Sequence, residues 1–353
     1  MTFRSICGSV LFCFGFSTLS IAGPASYSVK ELGANQFVMG INDRGEVLAG
    51  GPYDSSPTFL YQANGKVIEL SDLSALDVVC DYGPSAGPLY VAATAINNRG
   101  FVLMNVYGPQ SSVSLDGDCI VVYHDGSLVL KRTLGSSAYA SGINDRNQII
   151  GIDTNADNEV VGFGPRCDFD RSGSIITPNG INDRGQIAGT NANGAQLCTD
   201  GVWRPLPLFP GTLGPMSATA INNRGDVAGS ADVPIDPTNS ASHGFFYSRG
   251  RTIDIGTLSP SASVYPESMN DKGQIVGAGY NQSGSTTFLY QEGKIYDLMT
   301  LISIDDPLNG LIRLEGGSVI NDEGVIAANG TDLRTGVTHV YVFIPCAAKT
   351  SGP

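Results

Sequence analysis

Short apolar runs and polar turns alternate along this chain, and one phrase returns between them. It reads G-I-N-D-R-G-E-V at Gly40 to Val47 and recurs at Ala95, Gly142, Gly180, Ala220, Ser268 and Val319. Seven asparagines anchor the copies: Asn42, Asn97, Asn144, Asn182, Asn222, Asn270 and Asn321. Each copy is an apolar residue, Asn, then Asp or Asn, a charged residue, and, in all but the third copy, Gly before the next apolar run. That pattern predicts two strands joined by a tight turn, because Asn and Asp side chains bond nearby backbone. The Gly falls where a short hairpin loop needs positive φ. In the third copy Asn147 takes its place, and Asn is the side chain that best tolerates the left-handed region.

The strand after the turn carries apolar residues two past the Gly: Val47, Val102, Ile149, Ile187, Val227, Ile275 and Ile326. The strand before it carries small residues, as in A-A-T-A-I at Ala92 and S-A-T-A-I at Ser217, which suit a crowded inner strand. Two more strands follow in each unit. Unit six shows them as T-T-F-L-Y at Thr286 and K-I-Y-D-L-M at Lys294, turning at Glu292 and Gly293. Unit one repeats them at Thr58 and Lys66, unit two at Cys119 and Ser127, unit four at Ala195 and Val202, and unit five at His243 and Arg251. The fourth strand of unit three has no readable pattern.

Four short antiparallel strands per unit, with neighbouring phrases 38 to 55 residues apart, are the mark of propeller blades. Unit seven stops one strand short, at T-H-V-Y-V-F-I from Thr338. The S-Y-S-V-K-E-L-G stretch from Ser26 reads as a fourth strand without a unit of its own. The expectation is an all-β, seven-bladed β-propeller of four-stranded antiparallel blades, closed by the N-terminal strand. Closure removes exposed sheet edges.

S-H-G-F-F-Y from Ser242, D-I-G-T-L from Asp254 and S-M-N-D-K-G-Q-I-V-G from Ser268 resemble the HAF-type extracellular repeat family. The resemblance covers nearly the whole chain after the leader. His243 and His339 hold the family's His position, where unit six has Thr287 and unit one Thr58. The resemblance implies a bacterial exported repeat protein with no established activity, and the C-terminal sorting anchor of some members is not seen.

The chain opens M-T-F-R and runs apolar from Ser5 to Ile21, with small residues at Ser20 and Ala22, which reads as a secretory signal peptide over 1–22. Residues 23–353 are then one propeller domain, secreted or periplasmic. A net charge of −13 without a basic patch argues against nucleic acid, and no stretch suits a stable membrane span. Cys80, Cys119, Cys167, Cys198 and Cys346 remain after the leader. The nearest pairs are Cys80 with Cys119 and Cys167 with Cys198, leaving Cys346 over; spacing does not decide connectivity.

Unit three departs most from the repeat. Asp153, Asn155 and Asp157, and then Asp168, Asp170 and Ser172, space oxygen ligands as a calcium loop does, although Asn179 stands where a bidentate Glu would complete an EF-hand-type loop. Calcium is the one cofactor expected. G-P-S-A-G at Gly83 matches a nucleophile elbow but lacks the strand–Ser–helix context. Asp305 and Asp306 are adjacent carboxylates, whereas glycosidase pairs flank a bond, usually from separate elements. Trp203 is the lone Trp. His124, His243 and His339 read as structural, since two of them follow the repeat. The expected function is a monomeric, non-catalytic binding or scaffold module for a carbohydrate or protein ligand. The alternative is a polysaccharide hydrolase or lyase working from the central funnel.

Overall fold

A computed structural model describes residues 26–51, 57–71, 90–107, 119–133, 139–154, 160–167, 169, 176–260, 262–281 and 284–346. The ring begins with β1 (Tyr27–Ala34). Blade one is β2 (Phe37–Ile41), β3 (Val47–Gly50), β4 (Thr58–Tyr61) and β5 (Val67–Glu69), and blade two is β6 (Tyr90–Ile96), β7 (Val102–Tyr107), β8 (Cys119–His124) and β9 (Ser127–Thr133). Blade three is β10 (Tyr139–Ile143), β11 (Ile149–Thr154) and β12 (Val160–Phe163). Blade four is β13 (Thr177–Ile181), β14 (Ile187–Asn191), β15 (Gly194–Thr199) and β16 (Val202–Pro205). Blade five is β17 (Ser217–Ile221), β18 (Val227–Pro234), β19 (Ser240–Ser248) and β20 (Arg251–Gly256). Blade six is β21 (Ser263–Met269), β22 (Ile275–Asn281), β23 (Gly284–Gln291) and β24 (Lys294–Asp297). Blade seven is β25 (Ile312–Ile320), β26 (Ile326–Asp332) and β27 (Thr338–Pro345), with β1 as its outermost strand.

The protein is therefore a seven-bladed β-propeller of antiparallel four-stranded blades. Blade three shows three strands among the described residues. Closure is as the sequence implies: β1 runs antiparallel to β27, from Tyr27 opposite Pro345 to Ala34 opposite His339. Tyr27 is 1% exposed and packs edge-on against Phe343. Asp306 fastens the same strand by accepting from Val29 N at 2.8 Å. That accounts for one member of the Asp305–Asp306 pair.

The second strands read as continuous apolar runs because blades pack face to face. All six residues of β7 are buried, as are all four of β3. Every innermost strand carries a bulge at the same place, just before the repeated phrase. A bulge adds one residue and pushes the chain toward its partner strand. The opposing position of the second strand is Gly in four blades. A methyl group on Gly229 or Gly277 would collide with the carbonyl oxygens of Ser217 or Tyr265.

Blade three is held differently. Cys167 is disulfide-bonded to Cys198 of β15, and Phe169 lies edge-on against Trp203 at 5.3 Å. The segment after β12 is thus pinned onto blade four. Cys119 is disulfide-bonded as well, to a partner outside the described residues, and Cys346 is free. Residues 1–22, read from sequence as a leader, and the G-P-S-A-G stretch also lie outside the described residues.

Candidate functional site: the ring of turns at the channel mouth

The repeated phrase does two jobs. The first is the local turn that its residues suggest. Asn182 Oδ1 accepts from Arg184 N and from Gln186 N, both at 3.0 Å. The next position but two has positive φ in every copy, from 57° at Asn147 to 86° at Gly324.

The second job runs between blades. Each anchoring Asn donates its side-chain N–H to the backbone carbonyl of the next anchoring Asn. Asn42 donates to Asn97 O, Asn97 to Asn144 O, Asn144 to Asn182 O and Asn182 to Asn222 O. Asn222 donates to Asn270 O, Asn270 to Asn321 O, and Asn321 back to Asn42 O at 3.0 Å. A second ring lies beside it. The backbone N–H of each following residue donates to the side-chain Oδ1 of its counterpart in the next blade, from Asp43 to Asn98 through to Asp322 and Asp43. Blades 38 to 55 residues apart in sequence, and 279 apart at the closure of the ring, are thereby joined at their inner ends.

The residue choices follow from these bonds. The first position must both donate and accept, and it is Asn in all copies. The second need only offer an acceptor oxygen, so Asp and Asn alternate there. In five copies the residue four past the Asn accepts its second N–H, as Glu46 does for Asn42 at 2.7 Å and Gln148 for Asn144 at 2.8 Å. Units two and seven have Phe101 and Val325 there, which offer no side-chain oxygen. Asn97 turns instead to Asn147 Oδ1 of the next blade, at 2.9 Å. Asn147 replaces Gly with a side chain that tolerates positive φ and supplies the missing acceptor.

The mouth of the channel encloses about 220 Å³, lined by the anchoring asparagines other than Asn42, the apolar residue before each phrase, and the second-ring residues. Five of the latter are carboxylates: Asp43, Asp145, Asp183, Asp271 and Asp322. Burial pushes the Asp145 carboxyl above the usual carboxylate range, and the charges of Asp183 and Asp43 push the same way, against the hydrogen bond from Asn98 N. Burial raises Asp322 too, helped by Asp271 and Asp43. Deeper in the ring, Glu267 at the blade-six bulge is raised by burial although it accepts from Gly317 N, Ser318 N and Ser318 Oγ. The mouth therefore presents one chemistry, an oxygen acceptor, once per blade.

Of the calcium candidates, Asp153 is buried on β11 opposite Val161. Asn155, Asp157, Asp168, Asp170 and Ser172 lie outside the described residues. The histidines take their own places. His243 Nδ1 is 2.8 Å from Asp254 Oδ2, and His339 Nδ1 is 3.0 Å from Glu31 Oε1, close enough for an ion pair but not aligned as a hydrogen bond. Both pairs link the third strand of a blade to its fourth. His124 stacks on Phe101 at 3.9 Å.

No family model and no curated protein matches the chain. Solved structures share the architecture at low identity. The extracellular domain of a hybrid two-component system from B. thetaiotaomicron aligns at 15% identity with a TM-score of 0.46, over 90% of this chain and 40% of that one. The β-propeller domain of the Trilobed protease from Pyrococcus furiosus aligns at 11% and 0.48, over 90% and 99%. YCF48 bound to D1 peptide aligns at 10% and 0.49, over 94% and 100%. These likenesses carry no assignment of activity. Among the described residues no helix is long and apolar enough to cross a membrane.

Proposed function

We propose that the protein is an exported, non-catalytic binding propeller of the HAF-repeat type, a monomer that acts outside the cytoplasm on a carbohydrate or protein ligand. The apolar stretch behind Arg4 supports export. The observation that carries the binding reading is the pair of rings. Acid–base or nucleophilic catalysis sets groups in distinct roles against one another, even where both are carboxylates. The repeated phrase instead builds the same acceptor oxygen seven times over and locks each into a hydrogen-bonded belt. Such a belt is a rigid scaffold with an acidic mouth. Its field favours cationic groups over anionic ones, most strongly at low salt.

The test is a pair of assays on the mature protein. Matched cationic and anionic oligosaccharides and peptides are titrated at low and physiological salt, and polysaccharides are incubated with it to look for new reducing ends. The expected result is salt-sensitive binding of the cationic probes without turnover. The double substitution Asp271→Asn and Asp322→Asn should weaken that binding while keeping each Oδ1 acceptor. Catalytic release of reducing ends, or indifference to charge, would overturn the reading. Calcium in the acidic loops of unit three belongs to the same proposal. Calcium should raise the unfolding midpoint and EDTA should reverse it. Asp168→Asn with Asp170→Asn should abolish the rise, and a rise left intact by that pair would place the ion elsewhere.

A further inference from the structure

A second cavity lies away from the channel, between blades one and two, on the side of the ring that carries the repeated turns. Its volume is about 310 Å³, at the lower end of the range for small-molecule sites, roughly 300–1,000 Å³. Leu60, Ile68 and Tyr123 form its apolar wall, and Leu60 and Tyr123 are 2% and 5% exposed. Arg44 and Glu46, joined at 2.8 Å, close the channel side. Glu46 is further satisfied by Asn42 and by Gln62, at 2.7 and 3.3 Å, so that ion pair is already spent. Two charges of opposite sign remain at the rim, Lys66 from blade one and Asp125 from blade two. Among the described residues the Lys66 ammonium makes no ion pair, and Asp125 has only His124, at 3.6 Å.

The repeat itself supplies the control. Leu60 stands opposite Leu48 and Ile68, and Phe246 of blade five holds the same register, opposite Ala228 and Ile253. A methyl group on Gly273 of the following blade would sit 3.8 Å from the Phe246 ring. On Gly100, the equivalent glycine after blade one, its nearest neighbours would be Arg44 and Glu46, as the nearest at Gly273 is Arg224. In blade six the outer residue at this register is Tyr296 rather than Ile68. Val122, Leu197, Leu289 and Val342 hold the Leu60 register in blades two, four, six and seven, so Phe246 is the one large residue there, and the cavity is defined by its own lining rather than by an unusually small Leu60.

We propose that this cavity binds a small zwitterion with an apolar body, the chemistry of a free aliphatic or aromatic α-amino acid. The apolar body packs against Leu60, Ile68 and Tyr123. The carboxylate meets Lys66, and the ammonium meets Asp125. The proposal is independent of the acidic mouth, since none of these residues belongs to the ring of second-position carboxylates.

The test is calorimetric titration of the mature protein with L-leucine and L-phenylalanine. The comparison probes are 4-methylpentanoate, which lacks the ammonium, and isoamylamine, which lacks the carboxylate. Saturable binding of the amino acids is expected, with both comparison probes weaker by about tenfold, the loss of one charged contact. Leu60→Phe, which imports the blade-five residue, should abolish binding. Lys66→Met and Asp125→Asn should each weaken it about tenfold. Absence of saturable binding up to about 10 mM, well below any useful affinity, would overturn the proposal. So would binding undiminished by Leu60→Phe, or undiminished by the two rim variants should the Phe variant fail to fold.

Discussion

Asn182 and Asp183 are neighbours with nearly identical side chains, and the two rings assign them opposite sensitivities. Asn182 is 3% exposed. Its Oδ1 accepts two backbone bonds, and its Nδ2 donates to Gln186 Oε1 at 2.8 Å and to Asn222 O at 2.9 Å. Asn182→Asp keeps the shape and both accepted bonds but removes both donors. Gln186 can rotate its amide to face the new carboxylate, whereas the Asn222 carbonyl cannot. An orphaned buried carbonyl costs about 1–3 kcal/mol, and a carboxylate facing it without a counter-ion adds to that. The expected loss is about 3 kcal/mol, or roughly 5 °C in midpoint for a domain of this size. Asp183→Asn keeps the Oδ1 that accepts from Asp145 N at 2.7 Å and removes one of five neighbouring carboxylates. Its effect should stay within about 0.5 kcal/mol, on the stabilising side. Urea unfolding of both variants at neutral pH, beside the parent, reads the difference. Equal midpoints for the two variants would refute the claim that the Asn donors hold the blades together.

The Asp145→Asn variant tests the raised carboxyl by its pH dependence. A folded-state pKa above the unfolded one means that stability falls as pH rises through that window. Parent and variant should therefore match near pH 3, and the variant should be the more stable at pH 7, as measured by urea midpoints across that range. The Phe101–Asn147 exchange calls for a double-mutant cycle. Asn147→Gly should destabilise the parent because Asn97 loses an acceptor, and should do so less in a Phe101→Gln background, with a coupling of about 1 kcal/mol. Loss of the clasp residue Tyr27 to Ala should cost about 3–5 kcal/mol by emptying a buried aromatic site. If thermal unfolding of that variant is unchanged, β1 does not close the ring.

The propeller was legible because its evidence is local and repeated. Alternation, turn residues and a near-constant spacing mark four strands per unit, and the leftover strand at Ser26 finds its place by counting. The rings were not legible from any single copy, since Asn182 has a complete local role as a turn residue. Its second role joins it to Asn222, 40 residues on. The signal was nonetheless present across copies. A turn alone would accept Asp or Ser at the first position, yet all seven units use Asn, while the second position tolerates Asp and Asn. Invariance at the first position reports a donor requirement that a turn does not impose. The cavity beside Leu60 left no mark at all, because it arises from side-chain volumes on two blades that no periodicity connects.

Symmetry also bears on where specificity can reside. A sevenfold belt closes the ring most economically when every unit is alike, so selection for closure acts against distinctive groups at the inner turns. Departures from the repeat are the places where closure has been compromised or compensated. Phe101 deprives Asn97 of a partner, and Asn147 restores it from the next blade. In blade seven the bulge widens to Glu315, Gly316 and Gly317, and the buried Glu267 carboxylate is drawn across to satisfy its backbone. Beside Leu60 a cavity stands at an interface whose register Phe246 fills in blade five. The first two departures are repaired by bonds to neighbours, so they are accounted for by stability alone. The third is left open, with charges on its rim, and an unrepaired gap between packed blades is the feature that stability does not explain.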